Sequence, residues 1–415
     1  MPNERRRSLK PVNFTVVGST DNPVLHWFVD GVRKTLEREG HVFVPDSGRA
    51  NGHDGDSPSV GHAGRPEPES PATAEPLGLV LNVVDPERPR PYRRHAQATF
   101  VVSFMALDAP PEDGNVIRIG YPILVRSLAN LVICVVGRPV QPTPASAPAS
   151  SGTGVHFVTI EQGHYEVPFD TTGTPAGEQQ FFQRVYQRLE PLATSTLIIN
   201  NEFIPDLPEA LWNGDAQTEA IFRAGQRLAA MDLLPTPFPI QEVLSPRDQH
   251  HLKMLFGIGG LSYGNISARH DVSSFWMSAS GVDKSNLRIV GQDILLVKGF
   301  DSARSTILLS VPPHVEPRRV SVDAIEHWMI YTEHPQVGAI VHVHGWIDGV
   351  PSTPMNYPCG TVQLARAVAE LVRQAPDPAH AIIGLRNHGL TITGSSLDEI
   401  FDRIEGRVRR QIPMS

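Results

Sequence analysis

"VGAIVHVHGW", residues 337–346, is an apolar run broken twice by histidine, at His342 and His344. The run reads as a buried strand, and strand geometry turns alternate side chains to one face. Both imidazoles therefore leave one rigid strand on the same side, where they are placed to share a divalent ion. The pair alone is a weak signal, because 17 histidines in 415 residues supply roughly 0.7 His-x-His pairs by chance. The neighbouring residues have to decide.

Just upstream, "RRVSVDAIEHWMIYTEHP" (318–335) reads as a helix capped by Ser321 and ended by His334-Pro335. Its apolar positions are Val322, Ile325, Met329 and Ile330. Asp323 falls in the expected first turn, where the helix dipole favours a carboxylate. Glu326 has a different helical phase and is set aside as an alternative acid. Downstream, His388 sits in a polar Asn-His-Gly turn between the apolar runs of "IIGLRNHGLTI" (382–392).

Two stretches further upstream extend the pattern. "GGLSYGNISARH" (259–270) is a glycine-rich turn entering a strand with Asn265 at its start. "FWMSASGVDKSNL" (275–287) is a strand closing on the small residues Ser278 to Gly281, Ser280 among them. Such turns expose N–H groups and hydroxyls that can hold an oxyanion. A hairpin that simply needs glycine explains either stretch equally well. Before them, "SPRD" opens a helix with Ser245 as N-cap, Pro246 at the first position and Asp248 as capping acid. Its apolar face runs through Leu252, Leu255 and Phe256.

The N-terminal half alternates strand and helix. "VNFTVVGS" (12–19), "HVFVP" (41–45), "LGLVLNVV" (77–84), "ATFVVSFMAL" (98–107), "LVICVV" (131–136) and "STLIINN" (195–201) read as strands. Helices are expected over 22–40, near 120–130 and near 177–192. This alternation implies an open, mostly parallel, Rossmann-like α/β sheet. The first turn, "VVGSTDNP", lacks the three-glycine fingerprint of a dinucleotide site, so an accessory domain is the reading. Residues 46–76 and 138–153 are Pro-, Gly-, Ser- and Ala-rich and are expected to be disordered insertions. The resulting division is 1–205 as the Rossmann-like domain, 206–244 as connecting helix and linker, and 245–415 as a second domain.

Composition narrows the class. A net charge of −8 and pI near 6.1 argue against a nucleic-acid or anionic-membrane binder. No stretch reaches the roughly 20 apolar residues of a membrane helix, and the start lacks the apolar core of a secretory signal. Two distant cysteines, Cys134 and Cys359, imply no disulfide framework. The expectation is a reduced, cytoplasmic compartment.

Taken together, "GNIS", "SASGVDKSNL", the "D…HP…VGAIVHVH" block and "NHG" resemble the class II aldolase/adducin head family, from about residue 245 to the end. The resemblance implies an αβα sandwich that holds a catalytic divalent metal, usually zinc, with Fe²⁺ or Mn²⁺ as alternatives. On this resemblance His342, His344 and His388 are the metal ligands, and Asp323 is the acid/base or a fourth ligand. Asn265, Ser280, Gly281 and Ser321 fall where relatives bind a substrate phosphate or carboxylate. Three neutral histidines leave a metal with open positions, so a hydroxy-carbonyl substrate reacting through an enediolate is implied. Aldol cleavage leads; epimerisation, decarboxylation, dehydration and an adducin-like interaction module are the alternatives. A homo-oligomer is also implied.

Departures from the family are informative. Asp323 stands where sugar-phosphate aldolases carry Glu, as it does in the ribulose-phosphate epimerase branch. Val322 replaces the second serine of the phosphate-binding pair, which argues against a phosphorylated substrate. Asp348, Tyr357 and Cys359 follow the metal strand, but packing or turn roles are the expectation for all three. The covering tail of the aldolases is missing after the expected helix 396–412, which makes the N-terminal domain the candidate cover.

Overall fold

The computed structural model describes residues 11–46, 77–93, 99–109, 111, 115–137, 154–160, 163–170, 172–198, 200–235, 240–256 and 263–415. The expected disordered insertions, from residue 47 to 76 and from 138 to 153, lie outside these. So do Gly259 to Ser262 and the side chains of Leu255 and Phe256.

Two α/β parts follow one another. The first contains β1 (Asn13–Val17), α1 (Pro23–Arg38), β2 (Val42–Phe43), β3 (Leu77–Val83), β4 (Phe100–Leu107) and α2 (Ile117–Arg126). It continues with β5 (Leu131–Val136), β6 (Gly154–Thr159), β7 (Gly163–Pro168) and α3 (Pro175–Thr194). Its sheet has the order β2-β1-β3-β4-β5-β6-β7. The first five strands are parallel, as the alternation of strand and helix requires. The last two form an antiparallel hairpin that the sequence reading did not include.

Neighbouring residues of the central strands serve opposite cores, which is why these strands read as unbroken apolar runs. Leu79, Leu81 and Val102 join the α1 and α3 layer, whereas Val80 and Val101 join the α2 layer. The α1–α3 layer is aromatic: Trp27 stacks on Phe181, and its indole N–H donates to Glu178. Helix α1 is capped by Asn22, whose side chain accepts from the N–H groups of Val24 and Leu25. Gly40, with φ +97°, follows the helix end as expected.

The second part begins with β8 (Asn200–Ile204) and α4 (Ala216–Ala230), followed by α5 (Ile240–Val243) and α6 (Pro246–Phe256). Then come β9 (Asn265–Arg269), β10 (Phe275–Ser278), β11 (Ile294–Asp301), β12 (Thr306–Ser310), α7 (Ala324–Glu333) and β13 (Ala339–Val343). The chain closes with α8 (Val362–Gln374), β14 (Ile382–Leu385), β15 (Gly389–Gly394) and α9 (Leu397–Ile404). The sheet order is β14-β15-β13-β9-β10-β11-β12-β8. It is antiparallel except at its β12–β8 edge. Helices α4 and α9 pack on each other and on this sheet, as do α7 and α8.

Packing across the expected boundaries is more interwoven than the sequence suggests. The strand expected at 195–201 lies at Asn200–Ile204, and it pairs with β12 in the second sheet rather than the first. Helix α6 packs instead on α2 of the first part, where Ile240, Leu244 and Leu252 enter the α2-side core. The "SPRD" start caps as expected, with the Asp248 N–H donating to Ser245 Oγ at 3.2 Å. Asp248 also pairs with Arg126 of α2 at 2.8 Å.

Two helix expectations need correction. Asp323 is the N-cap residue of α7 rather than a first-turn residue, so Val322 lies outside the helix and is 37% exposed. The last helix ends at Ile404, not near 412, because Gly406 turns the chain at φ +72°. Arg409 then bridges to Trp346. Among the described residues no helix is long and apolar enough to cross a membrane.

Candidate metal centre

Strand β13 carries His342, and His344 follows immediately after its last residue, Val343. The strand is flanked by β9, with His342 opposite Asn265, and by β15, with His342 opposite Thr391. The turn from β14 to β15 delivers His388. Asn387 adopts φ +56° there and exchanges hydrogen bonds with Ser415. A Cβ on Gly389 would lie 2.2 Å from the Val343 carbonyl oxygen, so only glycine lets this turn press onto β13. Gly264 meets the same strand from the other side, its Cβ position 2.4 Å from the His342 oxygen.

One ring nitrogen from each of His342, His344 and His388 falls within 4.8 Å of the others, and all three residues are buried. The His342 Nδ1–H donates to the Leu390 carbonyl at 3.0 Å. A carbonyl only accepts, so Nδ1 holds the proton and Nε2 presents a lone pair. His342 Nε2 and His344 Nδ1 are buried without a hydrogen-bond partner. His344 Nε2 lies 3.2 Å from His388 Nε2, a contact that a shared proton or an intervening cation satisfies. Burial pushes all three imidazoles below the usual histidine range, His344 and His388 well below it. They are therefore neutral, the form that ligates a metal.

This donor set fits a divalent cation. Tetrahedral zinc with Zn–N bonds of about 2.0–2.1 Å separates its nitrogens by roughly 3.3 Å. A backbone carbonyl orienting a ligand imidazole through its other nitrogen is the usual outer support of such sites.

The acid stands next to the imidazoles. Asp323 Oδ2 accepts from Asn265 Nδ2 at 2.8 Å, while its Oδ1 is buried without a partner. The same Asn265 amide reaches Ser321 Oγ at 3.1 Å. Asn265, Ser321 and Asp323 thus form one bonded group beside His342. Ser280 and Gly281 lie on the adjoining turn: the Ser280 N–H donates to the Arg319 carbonyl at 2.9 Å, and Gly281 has φ +68°. Their link to the Asn265 group runs through the Ala279–Val320 bridge.

Three further groups belong to the neighbourhood. Lys284 is 3% exposed, and burial pushes its amine down to about 8 against the pull of Asp323 and Asp283. Nothing in the period of the sequence marks it, because it sits in a short turn of 3₁₀ helix. Glu326, set aside on phase, is buried and accepts from Thr391 Oγ1 at 2.5 Å. Burial and the nearby Asp323 push its carboxyl up to about 8. Because Asp323 is the cap and not a helical residue, helical phase counted from it misplaces Glu326.

Cys359 is the third, and the packing reading needs revision. Its Sγ lies 3.4 Å from His388 Nε2, a neighbour 29 residues away in sequence. Asp348, by contrast, is a surface residue paired with Arg409.

A pH prediction follows from Glu326. A carboxyl whose pKa is raised on folding stabilises the fold below its unfolded value and loses that contribution as pH rises through the folded one. Between about pH 4.5 and 8, Glu326→Gln should therefore flatten the decline in the unfolding midpoint of chelator-treated protein. Thermal melts at several pH values test this; an identical slope in the two proteins would refute it.

Comparison with known proteins places this geometry. The profile of the family "Class II Aldolase and Adducin N-terminal domain" matches residues 250–346. Methylthioribulose-1-phosphate dehydratase of Citrobacter koseri is 30% identical over 172 residues, which cover 34% of this chain and 78% of that protein. The structure of an L-fuculose 1-phosphate aldolase aligns with 46% of this chain and 81% of its own, at 16% identity and a TM-score of 0.32. The N-terminal class II aldolase domain of a Thermoplasma acidophilum protein aligns over 48% and 93%, at 14% identity and a TM-score of 0.30. Through its C-terminal part, from about residue 250, the chain belongs to the class II aldolase and adducin N-terminal domain family.

Proposed function

We propose that the protein is a metal-dependent lyase of the aldolase or dehydratase type, acting on a small hydroxy-carbonyl compound. The observation that carries this reading is the set of three buried, converging imidazoles beside a carboxylate with one anchored and one unpartnered oxygen. His342, His344 and His388 would hold the metal, zinc being the leading candidate. When bound, it would polarise substrate oxygens and stabilise negative charge developing as a C–C or C–O bond breaks.

The chain's own groups supply the rest. Asn265 fixes Asp323 through Oδ2, which leaves Oδ1 to take or return a substrate proton. The buried Lys284 amine balances the Asp323 charge when protonated, and its lowered pKa lets it deprotonate near neutral pH. Ser280, Gly281 and Ser321 would bind the rest of the substrate. The similarity to a dehydratase supports C–O cleavage as a reaction of equal standing with aldol cleavage.

Purified protein titrated with zinc should bind one ion per chain. The reconstituted protein should then release a carbonyl product from a panel of hydroxy-carbonyl sugars and acids. A protein that binds neither zinc, manganese nor iron would overturn the lyase reading in favour of an adducin-like interaction module.

A further inference from the structure

Between the two α/β parts lies a cavity of about 160 Å³. The first part contributes Asn130, Tyr165 and Arg188 to its walls, and the second contributes Asn356, Tyr357 and Cys359. Arg188 is the one charged residue among the described lining. Cys359 lines the same cavity and touches the metal centre, its Sγ 3.4 Å from His388 Nε2. Leucines fill much of the remaining wall, so the space suits a short carbon chain with a polar group at each end.

Arg188 is not satisfied within the protein. One terminal nitrogen donates to the Arg184 carbonyl at 3.0 Å, but Nε is buried without a partner. Among the described residues no carboxylate pairs with it. Burial opposes its charge most, Tyr165 partly offsets that, and the cationic Arg386 and Arg184 add to the opposition. The Tyr165 side chain is buried beside it. Arg188, Asn356 and Tyr357 also border a wider cleft of about 860 Å³ that includes Arg386. The acidic Glu39 and Glu190 line only that outer cleft.

We infer that Arg188 of the N-terminal part binds the oxyanion end, carboxylate or phosphate, of a small substrate whose other end reaches the metal centre. A guanidinium with an unused buried N–H is shaped to accept an oxyanion through charge-assisted hydrogen bonds. The site thereby supplies anion recognition in a chain where Val322 interrupts the small-residue turn. The N-terminal part is a component of the active site, not only a cover. This rests on the proposed lyase reading for the reacting end of the substrate, but not for the oxyanion site itself.

The test uses chelator-treated, full-length protein, so that it does not depend on metal. Calorimetric titration with inorganic phosphate and, separately, with acetate should show one saturable site for at least one of them. The stronger of the two identifies the anion. Arg188→Gln should weaken it at least about tenfold, with partial recovery in Arg188→Lys. If Ser280→Ala abolishes binding while Arg188→Gln does not, the oxyanion sits in the turn and the inference fails.

A second measurement needs no variant. Cys134 is fully buried, with its thiol pushed up to about 12, so alkylation by iodoacetamide reports on Cys359. The bound oxyanion should slow that reaction several-fold, whereas sodium chloride at equal ionic strength should not. Equal rates would overturn the inference. Protection that persists in protein unable to bind zinc would leave this site standing and count only against the lyase reading.

Discussion

His344→Ala should bind zinc more than about a hundredfold more weakly than the unaltered protein. Even changes in groups that merely orient a ligand typically cost about 10–100-fold in metal affinity, and His344 is proposed as a ligand itself. The three rings form a near-equilateral triangle, with centroids 5.1 Å from His344 to His342, 4.9 Å from His344 to His388 and 4.7 Å from His342 to His388. Alanine leaves two of the three converging imidazole donors. Equilibrium dialysis with metal analysis measures the loss. Melting provides an independent check, because a ligand at 100 times its Kd stabilises the fold by about 2.7 kcal/mol. Zinc should raise the unfolding midpoint of the unaltered protein and leave that of His344→Ala unmoved. A variant that keeps stoichiometric zinc would remove the basis of the proposed function.

Asp323→Asn should retain zinc and lose about 10²–10⁴-fold in kcat, the usual contribution of a positioned acid or base. The amide is nearly isosteric and can still accept from Asn265 through its oxygen, so the loop should keep its shape. What disappears is the basic oxygen represented by the unpartnered Oδ1. KM should change little, because the proposed binding groups are other residues. The zinc measurement separates two roles: retained zinc with a collapsed kcat marks a proton carrier, whereas lost zinc marks a fourth ligand. A kcat within tenfold of the original would exclude both.

The centre was legible because its parts lie on regular elements or in short glycine turns. Period two brings His342 and His344 to one side from sequence alone, although β13 itself ends at Val343, and "NHG" marks a turn whose glycine proves necessary at Gly389. The first five strands were legible for the same reason, since parallel strands buried on both faces leave long apolar runs. The β6–β7 hairpin was less so: β7 alternates polar and apolar residues, with His164 and Glu166 among them.

Glu326, Lys284 and Cys359 were lost for three different reasons. Glu326 depended on the exact start of α7, which slipped when Asp323 took the cap. Lys284 is in a turn with no periodic signal. Cys359 meets His388 only through the pairing that closes the second part, including the Leu197–Thr361 bridge, and no local pattern announces a contact of that range.

The crossing of β8 and α6 bears on how such a chain can have been assembled. Read from the N-terminus, the backbone builds the first part, leaves for the edge of the second sheet, returns to dock α5 and α6 on α2, and departs again for β9. The family match starts at residue 250, inside α6, a helix that packs on the other part. A gene segment cut at that point would strip the second sheet of β8 and α4, and carry off a helix whose docking partner stayed behind. The family match and the packed second part therefore begin at different points of the chain.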